Sequence, residues 1–308
     1  MENKLKCSKC SSKNVIKWTK RETQNRGLIQ RYKCKDCQTT FTFDDGFFRM
    51  RNHPTKITQS IDLFYRGVST RKVQEHLGVF YPHNASNVSI YKWVVKYAKM
   101  ISKFTEMLKV NVGEEVQVDE VEFHRRKSCK ARLGVEKNFF IDSVDPETRF
   151  LVASTYGRSR SSKEIKSVIN NIKGKTDKQV KMITTDGYNA YKRVVKSVFG
   201  YSLKDKKYNV FHNIVNASKG GGFNHPIERL HNNVRARTKV MRGFHGSINS
   251  ANAILRGFEI YYNFITKNQA IDCCPYELAI ADNNVKDYLT EMKNKWLGLI
   301  YLTKEASL

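Results

Sequence analysis

The chain is long and strongly basic. It has 308 residues, with 55 Lys or Arg against 29 Asp or Glu, which gives a formal net charge of +26. This imbalance favours a polyanionic partner, nucleic acid ahead of a membrane surface. No apolar run approaches the roughly 18 residues of a membrane span, and the first twenty residues lack the apolar core of a secretory signal. We therefore expect a cytoplasmic protein with no membrane association.

Two CxxC pairs near the N-terminus have the spacing of a zinc site. Their residues are Cys7, Cys10, Cys34 and Cys37. Two such knuckles can place four thiolates at the corners of a tetrahedron, as closed structural zinc sites require. Strand-like patches at 15–19 and 28–32, joined by a turn-prone stretch, predict a zinc ribbon over residues 1–46. One Zn²⁺ would supply the stability that so short a segment cannot obtain from its own apolar core.

A helical segment is predicted over residues 50–108. Apolar residues recur at helical spacing, Ser69 has the character of an N-cap, and Gly78 that of a stop. Three helices with a polar start to the third predict a helix-turn-helix-like DNA-binding domain; a plain helical linker or a dimerisation element fits the same pattern. In the DNA-binding interpretation, the residues that face the major groove are Asn87, Ser89, Tyr91 and Lys92.

Beyond residue 112 the pattern changes to strands alternating with helices, which is typical of an α/β fold. In chain order the predicted elements are a strand at 115–123, a hairpin at 139–157, a helix at 161–172, a strand at 180–185, a helix after Gly187, a further strand at 208–212 and a helix at 225–241. The C-terminal region, 269–308, is predicted to form a helix over 285–302. That helix either contributes to assembly or packs back on the core.

Three acids occupy informative places in this α/β region. Asp119 lies in a strand rich in Val and Phe, Asp186 follows a strand end, and Glu228 lies on a basic helix. Each alone is more often a turn former, a helix cap or a surface ion pair. Together, in a basic surround, they suit a pair of Mg²⁺ or Mn²⁺ ions about 4 Å apart, as the cutting and joining of DNA requires.

Neighbouring groups compete for the same roles. Glu120 follows Asp119 and points to the opposite face of a strand, so we expect only one of the two to join the site. Asp142 and Asp145 flank a hairpin turn and are interpreted as turn formers. His231 is either a proton carrier or a phosphate or structural contact. The remaining cysteines lack metal-site spacing and are interpreted as ordinary thiols: Cys129, Cys273 and Cys274.

Four stretches together resemble the catalytic domain of DDE transposases of the insertion-sequence-six type. They are VQVDEVEF, FFIDSVDPETRFLVASTYGRSRSSKE, ITTDGYNAY and NHPIERLHNNVRARTKVMRGFHGSINSANAILRGFE, from residue 116 to about residue 265. The resemblance implies a ribonuclease-H-like domain at 112–268, with a five-stranded mixed sheet flanked by helices. It implies Asp119, Asp186 and Glu228 as the catalytic, metal-binding triad. Arg235 matches a basic residue of the family's last helix and, with Lys239, is expected to contact DNA.

The same resemblance implies a transposase. The ribbon and the helical segment would bind the terminal inverted repeats of an insertion sequence, and the triad would hold two Mg²⁺ or Mn²⁺ ions for strand cleavage and strand transfer. Because two element ends must be joined, we expect a homodimer or larger assembly on double-stranded DNA in a prokaryotic cell. The alternatives are a domesticated, non-catalytic DNA-binding regulator and a ribonuclease-H-like nuclease that lacks strand transfer.

Overall fold

The structure is a computed structural model that describes most of the chain. The described residues are 5–23, 26–81, 85–126, 135–176, 179–215, 225–239, 241, 244 and 247–306. Within these ranges, no helix is both long enough and apolar enough to cross a membrane.

The N-terminal region forms a small antiparallel sheet with almost no buried side chains. Its strands are β1 (Val15–Thr23), β2 (Gly27–Cys34) and β3 (Thr40–Thr42), adjacent in that order. The two predicted strands are confirmed; the predicted turn between them includes residues 24 and 25, which lie outside the described residues. Across the described part of 5–45, the only buried residues are Cys7 and Cys34. This region, called the ribbon below, has no apolar core of its own.

Three helices follow the ribbon, as predicted. They are α1 (Pro54–Tyr65), α2 (Thr70–Phe80) and α3 (Asn87–Thr105). The side chain of Ser69 caps α2 by accepting a backbone N–H of the first turn. The predicted stop at Gly78 is wrong, because Gly78 remains helical and the N–H of Tyr81 still donates to the carbonyl of Leu77. A glycine ends a helix where it adopts positive φ, and this one does not.

A five-stranded mixed sheet forms the centre of the α/β region. The strands here are β4 (Glu115–Arg126), β5 (Val135–Val144), β6 (Leu151–Gly157), β7 (Met182–Thr185), β8 (Tyr201–Ser202), β9 (Lys207–Tyr208) and β10 (Phe211–Ile214). The sheet order is β10-β7-β4-β5-β6, while β8 and β9 pair with each other. β4, β5 and β6 are antiparallel, whereas β7 and β10 run parallel to β4. The strand predicted at 208–212 is therefore split between the β8–β9 hairpin and β10.

Helices cover both faces of this sheet. They are α4 (Ser162–Thr176), α5 (Asn189–Phe199), α6 (His225–Lys239) and α7 (Ile248–Ile260), and α7 continues into a π-helical turn, Tyr261–Ile265. Adjacent residues of β4 identify the two faces: Glu120 contacts Tyr191 of α5, whereas Asp119 faces His231 of α6. The predicted helices at 161–172 and 225–241 are confirmed, with slightly different ends.

The C-terminal helices pack back against the helical segment. They are α8 (Pro275–Ala279), α9 (Asn283–Glu291) and α10 (Lys295–Glu305). The single helix predicted at 285–302 is wrong, because the chain breaks after α9 and Asn294 caps a new helix. Trp296 of α10 stacks on Tyr65, with ring centroids 5.5 Å apart, and its indole N–H donates to Asp62. These contacts favour the interpretation that this helix packs on the core.

Candidate active site and zinc centre

Three carboxylates meet where β4 passes the end of β7. Asp119, Glu120 and Asp186 each place one oxygen within 4.8 Å of the others. On the β7 side, β4 is paired only from Glu115 to Gln117, so its edge is open beyond that point. Asp186 leaves β7 at this open edge. The parallel pairing of the two strands thus brings the two predicted aspartates together from distant positions in the sequence.

Glu120 joins this cluster, although we expected only one of the two adjacent acids to do so. The two side chains do alternate between faces, as a strand requires. However, the Asp119 carboxylate bends along β4 towards the next residue, and its Oδ1 accepts the backbone N–H of Glu120 at 2.8 Å. Asp186 lies just beyond the C-terminal end of β7, the strand next to β4. From that position it approaches both neighbours.

Protein donors already engage both oxygens of Glu120. Its Oε1 pairs with the Arg160 guanidinium at 2.7 Å, and its Oε2 accepts the Tyr191 hydroxyl at 2.6 Å. The Arg160 guanidinium also lies over the Tyr188 ring, 4.5 Å from its centroid. Asp186 shapes its own turn, since its Oδ1 accepts the backbone N–H of Tyr188 at 2.9 Å. Glu120 is therefore held in place more firmly than either aspartate.

Glu228 lies on the exposed side of α6 and is not a member of this cluster. Arg235, on the same side of the helix, is exposed as well. Lys239 ends the helix, and its side chain lies outside the described residues, as does the segment 216–224 that leads into α6. Among the described acids, the structure therefore brings Glu120, and not Glu228, close to the two aspartates.

A buried histidine–aspartate pair lies behind Asp119. His231 Nε2 is 2.7 Å from Asp142 Oδ1, and His231 Nδ1 is 3.7 Å from Asp119 Oδ2. Asp142 is completely buried within β5, directly opposite Asp119 in the register. Its interpretation as a turn former is wrong, because β5 continues to Val144. Asp145 does form the turn, since it accepts backbone N–H groups two and three residues later.

A signal for this pair was present in the sequence. Asp142 stands between Phe140 and Val144 at the alternate positions that face the core, where an acid requires a buried partner. His231 is the matching polar residue on the core side of α6, next to Leu230. What the sequence did not give was the register that places the two opposite each other.

The electrostatics of the site favour a proton on His231. Burial alone lowers the pKa of His231, but the Asp142 and Asp119 carboxylates raise it above its usual value. Burial raises the pKa of Asp119 to about 6, against the opposing effects of His231 and the Glu120 N–H. Carboxylate oxygens are the ligands that Mg²⁺ prefers, so the donor set at this edge fits a divalent cation.

The central part of the chain matches a known domain family. Residues 132–268 match the family model of a DDE domain, that of the IS240 transposases. This match identifies residues 132–268 as a DDE transposase domain of the insertion-sequence-six type. The matched domain contains Asp186, Glu228 and the His231–Asp142 pair, whereas Asp119 precedes it. No curated protein gives a match to the chain.

The cysteines of the ribbon form a second cluster, which fits zinc. The Sγ atoms of Cys7 and Cys37 are 3.5 Å apart, those of Cys10 and Cys34 are 3.6 Å apart, and all four lie within 4.8 Å of one another. A tetrahedral zinc ion with Zn–S bonds of about 2.3 Å needs sulfur atoms about 3.8 Å apart. Cys273 and Cys274 lie outside this cluster, and residue 129 is outside the described residues.

The polar start of α3 is partly occupied with capping the helix. The N–H of Ser89 donates to Ser86 Oγ, and the two hydroxyl oxygens are 3.0 Å apart. The N–H of Asn87 donates to the side chain of Gln74. Lys92 is exposed. Of the residues predicted to enter the major groove, Lys92 is the exposed one, whereas Asn87, Ser89 and Tyr91 are half-buried.

Proposed function

We propose that this transposase cuts and joins DNA at the terminal inverted repeats of an insertion sequence. The observation that carries the proposal is the meeting of Asp119 and Asp186 at one open edge of the sheet. Two Mg²⁺ or Mn²⁺ ions bound there would activate the attacking oxygen and stabilise the leaving oxygen during cleavage and strand transfer. His231 supports the site by holding Asp119 from the side of the buried Asp142.

We propose Glu228 as the third ligand in the DNA-bound state. Its carboxylate is exposed and has no ion pair among the described residues, so it is available to a cation. It also lies one turn before His231, the residue through which α6 approaches Asp119. Glu120 is closer, but Arg160 and Tyr191 already engage its oxygens.

We also propose a ribonuclease-H-like fold and a set of DNA contacts outside the carboxylate site. Three antiparallel strands followed by two parallel ones, with helices on both faces, support a ribonuclease-H-like domain. Arg235 and Lys239 of α6 would contact phosphates near the site. The ribbon and a helix-turn-helix-like arrangement of α2 and α3, with Lys92, would bind the terminal repeats. A homodimer or larger assembly would hold two ends together, in the cytoplasm of a prokaryotic cell.

The decisive test is Asp186→Asn in the full chain. Loss of one metal ligand removes about 4 kcal/mol of transition-state stabilisation, so cleavage should fall by about a thousandfold. Single-turnover cleavage and joining are measured in Mg²⁺ and in Mn²⁺ on duplexes taken from the DNA that flanks the reading frame. Duplex binding, measured by gel shift, should change less than about twofold, because the charge lost is not a phosphate contact.

Asp205→Asn is the matched control, since it removes the same charge from the exposed β8–β9 hairpin and should leave the rate unchanged. If the wild type neither cleaves nor joins its own ends in either cation, the catalytic proposal is wrong and the chain acts as a DNA-binding regulator. Cleavage without joining would instead identify a nuclease.

A further inference from the structure

A basic cavity of about 670 Å³ lies along α6, and Glu228 is not one of the residues that line it. Its walls are the end of α1, the turn between β5 and β6, α6, the end of α7 with its π-helical turn, and the loop 266–270. The cations that line it are Arg66, Arg149, Arg229, Arg237 and Lys267. None of the described lining residues is acidic. Of the five cations, only Arg66 has a carboxylate partner among the described residues, Asp62.

Arg237 is buried in the wall of this cavity without an acceptor for its guanidinium. The residue is 6% exposed, and its Nε, Nη1 and Nη2 atoms have no hydrogen-bond partner among the described residues. One face of the guanidinium stacks on Phe64, 4.0 Å from the ring centroid. The face of a ring cannot satisfy the N–H groups, because these lie in the guanidinium plane. The buried Nε of Arg149 is likewise without a partner.

Burial also works against the charge of Arg237. It lowers the pKa of the guanidinium to about 10, although Tyr65 and Tyr261 oppose the shift. The group is still protonated near neutral pH. A buried cation with unsatisfied donors is unfavourable unless an anion compensates it. Both the geometry and the charge of the cavity therefore call for an anionic acceptor.

We propose that this cavity binds a phosphate group. The guanidinium fork of Arg237 matches two phosphate oxygens, and Arg149 and Lys267 line the same cavity. The chain's net charge of +26 favours a DNA backbone phosphate over a free phosphate ion as the source. The DNA source rests on the proposed function, whereas the phosphate site itself does not.

The first measurement is the melting temperature of the full chain in sodium phosphate and in sodium chloride at equal ionic strength. Because a ligand that binds only the folded state raises the melting temperature, phosphate should stabilise the wild type. Arg237→Met should lose this increase in melting temperature, which we call the phosphate increment. Lys267→Met should lose part of it. Arg193→Met is the matched control, since it removes the same charge from an exposed position of α5, and it should keep the increment.

The second measurement distinguishes the two sources. For a DNA phosphate, Arg237→Met should weaken binding to a 40-base-pair duplex several-fold and reduce the slope of log K against log salt by about one. Loss of the phosphate increment with unchanged duplex binding would identify a free phosphate ion.

If Arg237→Met fails to fold, the exposed Lys267 provides the test through Lys267→Met. The proposal is overturned if these variants alter neither the increment nor the slope. Neither readout requires strand transfer, so a failure here is distinct from a failure of the catalytic proposal.

Discussion

The two clusters of metal-ligating side chains are built in opposite ways. In the ribbon, Cys7 and Cys34 are the only buried residues of the described part of 5–45, so the thiols themselves are the core. The carboxylate cluster lies on a sheet whose own core is complete, with Val118 and Val121 buried on either side of Asp119. We therefore expect metal removal to unfold the ribbon and leave the sheet intact, because the described part of the ribbon has no apolar core of its own.

The largest effect is expected from loss of zinc. Binding of zinc by four thiolates contributes about 10 kcal/mol or more to the folding of such small regions, so Cys34→Ser or a strong chelator should unfold the ribbon. Metal analysis should show one zinc per chain in the wild type and none in the variant. Limited proteolysis should then cut within residues 5–45 and leave the rest of the chain intact.

Cys273→Ser provides the control for thiol loss, because this cysteine lies outside the cluster and zinc content should not change. The prediction would be wrong if the zinc-free ribbon resisted protease, or if removal of Mg²⁺ made the central sheet accessible to protease.

The same contrast explains what could be predicted from the sequence. The four-cysteine cluster was predictable because two CxxC pairs and a hairpin fix it locally. The closeness of Asp119 and Asp186 follows from their places on strands, but the approach of Glu120 depends on where the β4–β7 pairing stops. The prediction that Asp142 forms a turn is wrong because its partner, His231, lies 89 residues away in the sequence. Local patterns specify elements, whereas register and the packing of α6 specify the site.

A second prediction asks which acid completes the site. Glu228→Gln should lower the cleavage rate by about a thousandfold and leave the free energy of unfolding unchanged, since its side chain is exposed. Glu120→Gln should lower stability by about 1 kcal/mol or more, because Arg160 loses its carboxylate partner, with a smaller effect on the rate. Single-turnover cleavage and urea unfolding of both variants measure this difference. The reverse pattern of rates would assign Glu120 as the third ligand.

The smallest of the three effects concerns the support behind Asp119. His231→Gln leaves Asp142 buried without its cationic partner, so the free energy of unfolding should fall by about 3 kcal/mol near pH 6. Since the carboxylates raise the folded-state pKa of His231, the stabilisation is fully present below the ordinary histidine pKa. It is lost as pH rises through the raised value. Urea unfolding should therefore show a smaller difference from the wild type near pH 9 than near pH 6.

The double variant His231→Gln with Asp142→Asn separates this charge effect from simple loss of packing. With the buried carboxylate removed, the amide pair can still hydrogen-bond, and part of the lost stability should return. The pH dependence should also flatten, because neither member of the pair then titrates. A single variant that is equally destabilised at both pH values, with no recovery in the double variant, would show that His231 acts through packing alone. In that case Asp119 would be positioned by its own backbone contact with Glu120 and not by the pair behind it.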